Sequence, residues 1–190
     1  MGFWNVLSLR EDDHLSLLSS ELKRLDIGIV ALSQVRRTDC GEIMAGGYTY
    51  YWSGRSDGHH AQGVAVAVSN KLTPMIIEVT PVNECIMRHR IGHSLGVISL
   101  VSGYAPTEVS DLTVRDAFYA TLESVVDCCS RRDTPLDLGD FNASPGTDRD
   151  YETCVGPHGS GTVDQNSTKF LDFARSGWFM VSALTGSSLD

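Results

Sequence analysis

Residues 139–143 read Gly-Asp-Phe-Asn-Ala, after the apolar pair Leu136 and Leu138 and before the Ser144-Pro145-Gly146 turn. A strand that ends here carries a carboxylate and an amide two residues apart, and residues i and i+2 of a strand share a face. Asp140 and Asn142 therefore converge if strand geometry persists to position 142, with Phe141 turned into the core. A carboxylate and an amide presented together suit a hard cation, a phosphate or an attacking water. Gly, Asp and Asn also favour turns for backbone reasons alone, so the stretch gains meaning from the rest of the chain.

The chain has 190 residues, enough for one well-packed domain and short for two. With 42% hydrophobic and 21% charged residues it reads as a globular chain rather than a disordered one. No stretch approaches the ~18–20 apolar residues of a membrane span. The start, Met1-Gly-Phe-Trp-Asn-Val, lacks the basic and apolar parts of a signal peptide. Position 6 is Val, so the myristoylation pattern is not met. These features predict an intracellular chain, nuclear or cytoplasmic and not secreted, without a membrane partner. Five cysteines (40, 85, 128, 129 and 154) form no CxxC pair and read as reduced thiols.

A net charge of −9 argues against tight, sequence-independent binding to nucleic acid, which draws its affinity from Lys and Arg on phosphates. Arg36-Arg37, Arg88-His89-Arg90 and Arg131-Arg132 cluster locally and read as solvated surface.

Alternation predicts a first strand over 3–9 and then a helix capped by Asp12 or Asp13, with Leu15, Leu18, Leu22 and Leu25 on one face. The apolar run 27–32 predicts a strand covered on both sides. Further strands are expected at 48–53, 63–68, 75–82, 95–102 and 178–183, with helices at 113–128 and 168–175. Asp137, between Leu136 and Leu138, must find a donor or else lie before the strand begins.

Polar residues recur at these strand ends: Asn5 after Trp4, Gln34 after the run 29–32, Tyr104 within Ser102-Gly-Tyr-Ala-Pro-Thr107, then Asp140 and Asn142. Sites on mixed α/β folds collect at such positions. Trp4-Asn5, Leu32-Ser33-Gln34-Val35-Arg36, Tyr104-Ala105-Pro106-Thr107 and Gly139-Asp140-Phe141-Asn142-Ala143, in that order, resemble the endonuclease/exonuclease/phosphatase superfamily. The stretch 151–171, with Gly156-Pro157-His158-Gly159 and Asn166 ahead of Phe170-Leu171-Asp172-Phe173, resembles its craniofacial development protein 2-like branch, related to non-LTR retrotransposon endonucleases.

The resemblance implies a single domain over 1–190, a four-layer α/β/β/α sandwich of two mixed sheets, incomplete at its C-terminus. It also implies cleavage of phosphodiester or phosphomonoester bonds with Mg²⁺ or Mn²⁺, a nucleic-acid phosphodiester being the expected substrate. By similarity Asn5, Gln34 and Asp140 would hold the metal and Tyr104 would contact the scissile phosphate. Asp140 would activate water, and Asn142 would position water or phosphate. The family has glutamate at position 34, where this chain has an uncharged amide. The family's closing aspartate-histidine pair has no counterpart here; His93 and His158 are loop or surface residues outside such a pair. The expectation is therefore weak metal binding and weak or absent hydrolysis. A lipid or inositol phosphatase of the same superfamily and a non-catalytic relic are the other readings.

Overall fold

The computed structural model describes residues 1–144, 154, 165–177 and 181. The chain divides into two compact units, Met1–Tyr104 with Val125–Asp140, and Ala105–Ser124 with Phe141–Asp190.

The first unit holds two sheets. One has the order β1 (Gly2–Asn5), β2 (Ile29–Ser33), β5 (Val64–Ser69), β4 (Tyr48–Ser53) and β3 (Cys40–Ala45). The other runs β6 (Ile76–Asn83), β7 (Ile86–His93), β8 (Gly96–Tyr104) and β9 (Asp133–Asp140). Each is antiparallel except at one margin, where β1 joins β2 and β9 joins β8 in parallel, so both sheets are mixed. Ile29, Tyr51, Val64, Val66 and Val68 of the first sheet pack on Met87, Ile91 and Leu100 of the second. The opposite face of the first sheet carries Val30, Leu32, Tyr48, Tyr50, Ala65 and Ala67, covered by Leu15, Leu18 and Leu22 of α1 (Asp12–Arg24). Burial on both sides explains the unbroken apolar run of β2, buried at all five positions. Ser19 fastens the helix to the sheet, its hydroxyl 2.7 Å from both Leu15 O and Tyr50 Oη.

In the second unit lie most of α2 (Leu112–Asp127) and all of α3 (Gln165–Ser176). The Tyr119 and Phe173 rings lie 6.3 Å apart, and those of Phe141 and Phe170 stack at 4.7 Å. Lys169 pairs with Asp116.

Several expectations change. The first strand ends at Asn5, because Asn5 Oδ1 accepts the Leu7 N–H and Leu7 turns left-handed at φ 58. Glu11 caps α1 without a side-chain hydrogen bond, while Asp12 and Asp13 lie in the first turn, where negative charge suits the helix dipole. Leu25 leaves the apolar stripe at the C-cap, 47% exposed. β3 and β7 add strands beyond those expected, and in β7 the period of two carries His89 inside, fully buried. β9 starts at Asp133, so Asp137 lies well within the strand, and both its carboxylate oxygens are shielded with no hydrogen-bond partner among the described residues. The strand expected at 178–183 lies outside the described residues, apart from Val181, as does His158. Among the described residues no helix is long and apolar enough to cross a membrane.

Candidate functional site

The parallel margin of each sheet sets the positions of four predicted residues. In the first sheet Asn5 pairs in register with Ser33, the residue before Gln34. In the second, Tyr104 pairs with Asp140. That last pairing demands glycine one step back. Gly103 and Gly139 are partners, and a Cβ on Gly139 would meet Gly103 O at 2.1 Å. The Gly-Asp of the 139–143 stretch therefore reflects a close backbone approach as well as chemistry.

Two hydrogen bonds tie the sheets together here. Asn5 Nδ2 donates to Asp140 Oδ2 at 3.0 Å, and Gln34 Nε2 donates to the Tyr104 hydroxyl at 2.9 Å. Burial holds the Tyr104 phenol above its usual range, and the Asp140 carboxylate pushes the same way. The Gln34 bond and the Arg36 charge act in the opposite direction. Asn5, Gln34, Tyr104 and Asp140 thus meet in the first unit, with Arg36 within electrostatic reach.

Gln34 and Arg36 both adopt left-handed backbone, at φ 58 and 55. Such geometry costs about 1–2 kcal/mol per non-glycine residue and lasts where the surroundings over-determine it. Val35 N–H bonds Gly63 O and Arg36 N–H bonds Gln62 O, which pins the segment to the start of β5.

Asn142 is placed differently. β9 ends at Asp140 and Asn142 turns left-handed at φ 45, so strand alternation does not carry it onto the face of Asp140. Its Nδ2 donates to Ala105 O at 2.7 Å within the second unit. Asn166, at the start of α3, extends the same arrangement. Its Nδ2 reaches Pro106 O at 3.1 Å, Phe141 O at 3.1 Å and Asn142 O at 2.7 Å. One buried amide so clamps the segment after Tyr104 to the segment after Asp140, a role that local sequence does not announce.

The donor set does not fit Mg²⁺ or Mn²⁺ as it stands. Such ions take oxygen ligands and favour carboxylates. Asp140 is the one carboxylate among Asn5, Gln34, Tyr104 and Asp140, and both amides are engaged as donors. Asn5 Oδ1 is occupied by Leu7 N–H at 3.2 Å. Among the described residues no three His, Cys, Asp or Glu side chains gather as a metal site.

No protein-family model matches the chain. It is 24% identical over 173 residues, 91% of its length, to craniofacial development protein 2 of Bos taurus. The same identity and coverage hold for that of Tragulus javanicus. The chain spans 29% and 30% of those two relatives. Among solved structures it is similar to the AP endonuclease LMAP from Leishmania major, with a TM-score of 0.66 and 13% identity over 92% of this chain and 65% of that one. The two mixed sheets with their helices form the same α/β fold as that AP endonuclease. Similarity extends to the catalytic domain of Xenopus laevis APE2, at TM-score 0.61 and 18% identity over 90% of this chain and 66% of that one. It extends also to the endonuclease domain of TRAS1, a telomere-specific non-LTR retrotransposon, at 0.60 and 15% over 92% and 70%.

Proposed function

We propose that this chain is an endonuclease-type phosphodiester hydrolase domain directed at nucleic acid, with metal-dependent hydrolysis weakened by Gln34. The reading draws its substrate class from the AP and retrotransposon endonucleases it resembles. It rests on one observation, the amide at position 34 that donates to Tyr104 where the resemblance calls for an acid. The remaining residues keep usable roles. Asp140, held by Asn5, is a carboxylate able to orient or deprotonate a water. Tyr104 carries a protonated hydroxyl for a phosphate oxygen.

At an effective dielectric of ~20, one charge close to a cation is worth several kcal/mol, which exceeds a hundredfold in affinity. The test is Gln34→Glu, compared with the wild-type chain by Mn²⁺ titration calorimetry and by plasmid nicking. The variant is expected to bind Mn²⁺ at least tenfold more tightly and to nick faster at millimolar metal. Equal Mn²⁺ binding and no gain in nicking would refute the proposal. The same amide supports a second reading, a relic that retains the fold alone, for which neither protein nicks DNA although the variant gains the ion.

A further inference from the structure

The second unit holds a cation without a counter-ion. Arg115 lies in the first turn of α2 and is only 6% exposed. Its Nη2 donates to Gln165 Oε1 at 3.4 Å. Its Nε and Nη1 are shielded from water and have no hydrogen-bond partner among the described residues. A guanidinium cannot escape burial by losing its proton, as a lysine can. Unpaired charge buried to this degree is costly, and folded chains give it a partner.

The position of the guanidinium adds to this. Arg115 meets Gln165, Asp116 pairs with Lys169, and the Tyr119 ring lies near that of Phe173, contacts that ascend together along both helices. α2 and α3 therefore run in the same direction and begin at the same end. A helix start is electropositive, so it attracts anions and disfavours cations. Neither helix carries an acid in its first turn. Glu108, Asp111 and Asp116 are exposed, and Asp116 is committed to Lys169. At the start of α3, Asn166 turns its Nδ2 to the carbonyls of Pro106, Phe141 and Asn142, and Ser167 Oγ accepts the Ser144 N–H at 2.8 Å. Two helix starts and a fixed cation thus come together, and no described acid answers them.

We infer that this corner of the second unit binds a small oxyanion of the phosphate class, held by the Arg115 guanidinium where α2 and α3 begin. A guanidinium presents planar N–H donors that match the oxygens of such an ion, and the helix starts add to the attraction. Leu112, Thr113 and Val114 are all exposed, so the ion enters by local opening of a single turn. Its role is to hold the two helices together rather than to react. The inference draws on none of Asn5, Gln34, Tyr104 and Asp140, and it stands whether or not the chain hydrolyses a phosphodiester. A single small ion on a chain of charge −9 implies a Kd on the order of millimolar.

The test is thermal melting of the full chain in inorganic phosphate, in sulfate and in chloride at matched ionic strength. With phosphate well above Kd, wild type is expected to melt several degrees higher than in chloride, as linkage requires of an ion bound by the folded state alone. Arg115→Met should abolish that rise and melt no lower than wild type in chloride, because the buried charge is gone. In wild type the Arg115 Nε–H resonance, assigned by its loss in Arg115→Lys, should shift as phosphate is added. A rise in sulfate equal to that in phosphate supports the site and assigns it to tetrahedral dianions; a rise in phosphate alone supports it and assigns it to phosphate. Equal melting of wild type in phosphate and chloride overturns the inference. So does an equal rise in Arg115→Met, which would be the general salting effect of such ions. If Arg115→Met fails to fold by circular dichroism, the resonance decides, and an Arg115 Nε–H signal that phosphate leaves in place overturns the inference.

Discussion

Asp137 is the residue whose removal should strengthen this protein. It lies in the middle of β9 beside Val101, and both carboxylate oxygens are shielded from water with no hydrogen-bond partner among the described residues. Burial pushes its pKa up to about 7 from 3.8. The folded state then holds a proton that the unfolded chain releases above pH ~4, so unfolding free energy falls as pH rises from about 4 to 7. Roughly three pKa units at 1.36 kcal/mol each set an upper bound of ~4 kcal/mol at pH 8. Half-burial of the residue as a whole lets surroundings relax and brings the expected effect to ~2–4 kcal/mol. Asp137→Asn abolishes the titration at nearly constant shape. Chemical denaturation of both proteins at intervals from pH 4 to pH 8 should show nearly equal stability at pH 4 and a growing advantage for the variant up to pH 7–8. A difference that stays flat with pH, or a variant less stable at pH 8, would refute the account of an unpaired buried carboxylate.

His89 tests the opposite sign on the inner face of the same sheet. Burial drives its pKa down to about 4, so the native state resists protonation and stability is lost as pH falls from ~6.5 towards 4. His89→Phe, placed against the Tyr51 ring 5.4 Å away, should remove up to ~3 kcal/mol of that acid loss, seen as a flatter denaturation profile between pH 6 and pH 4. Gly139→Ala should lower stability by about 2–4 kcal/mol, measured by thermal melting, because the β8–β9 pairing must part to admit the methyl group. Asn166→Ala should cost about 1–3 kcal/mol in urea denaturation, since the carbonyls it serves lose a buried donor.

The apolar runs were legible because burial on two faces leaves little room for polar residues. β2, β4 and β5 are accordingly found within a residue or two of their expected positions. What local reading misses is periodicity hidden by composition. Arg88-His89-Arg90 looks like a solvated patch, yet in β7 alternation sends the imidazole inwards while Arg90 bonds Asp133 at 2.8 Å. β3 borders its sheet and exposes every second residue, so Cys40–Ala45 carries a weak apolar signal. For the site, strand ends foretold that Asn5, Gln34, Tyr104 and Asp140 lie close. They could not foretell the direction of the Gln34–Tyr104 bond, which depends on which amide atom faces the ring. Nor could they give the left-handed turn at Asn142, since Asn tolerates that conformation and strand geometry alike.

The bond from Asn5 to Asp140 spans 135 positions along the chain. During synthesis the N-terminal strand therefore emerges long before its partner, and this corner can close only after β9 has left the ribosome. Closure of so long a loop is slow, and until β9 arrives β8 presents an open margin to neighbouring chains. Nascent chains stalled before position 133 should accordingly depend on chaperones more than those released beyond it.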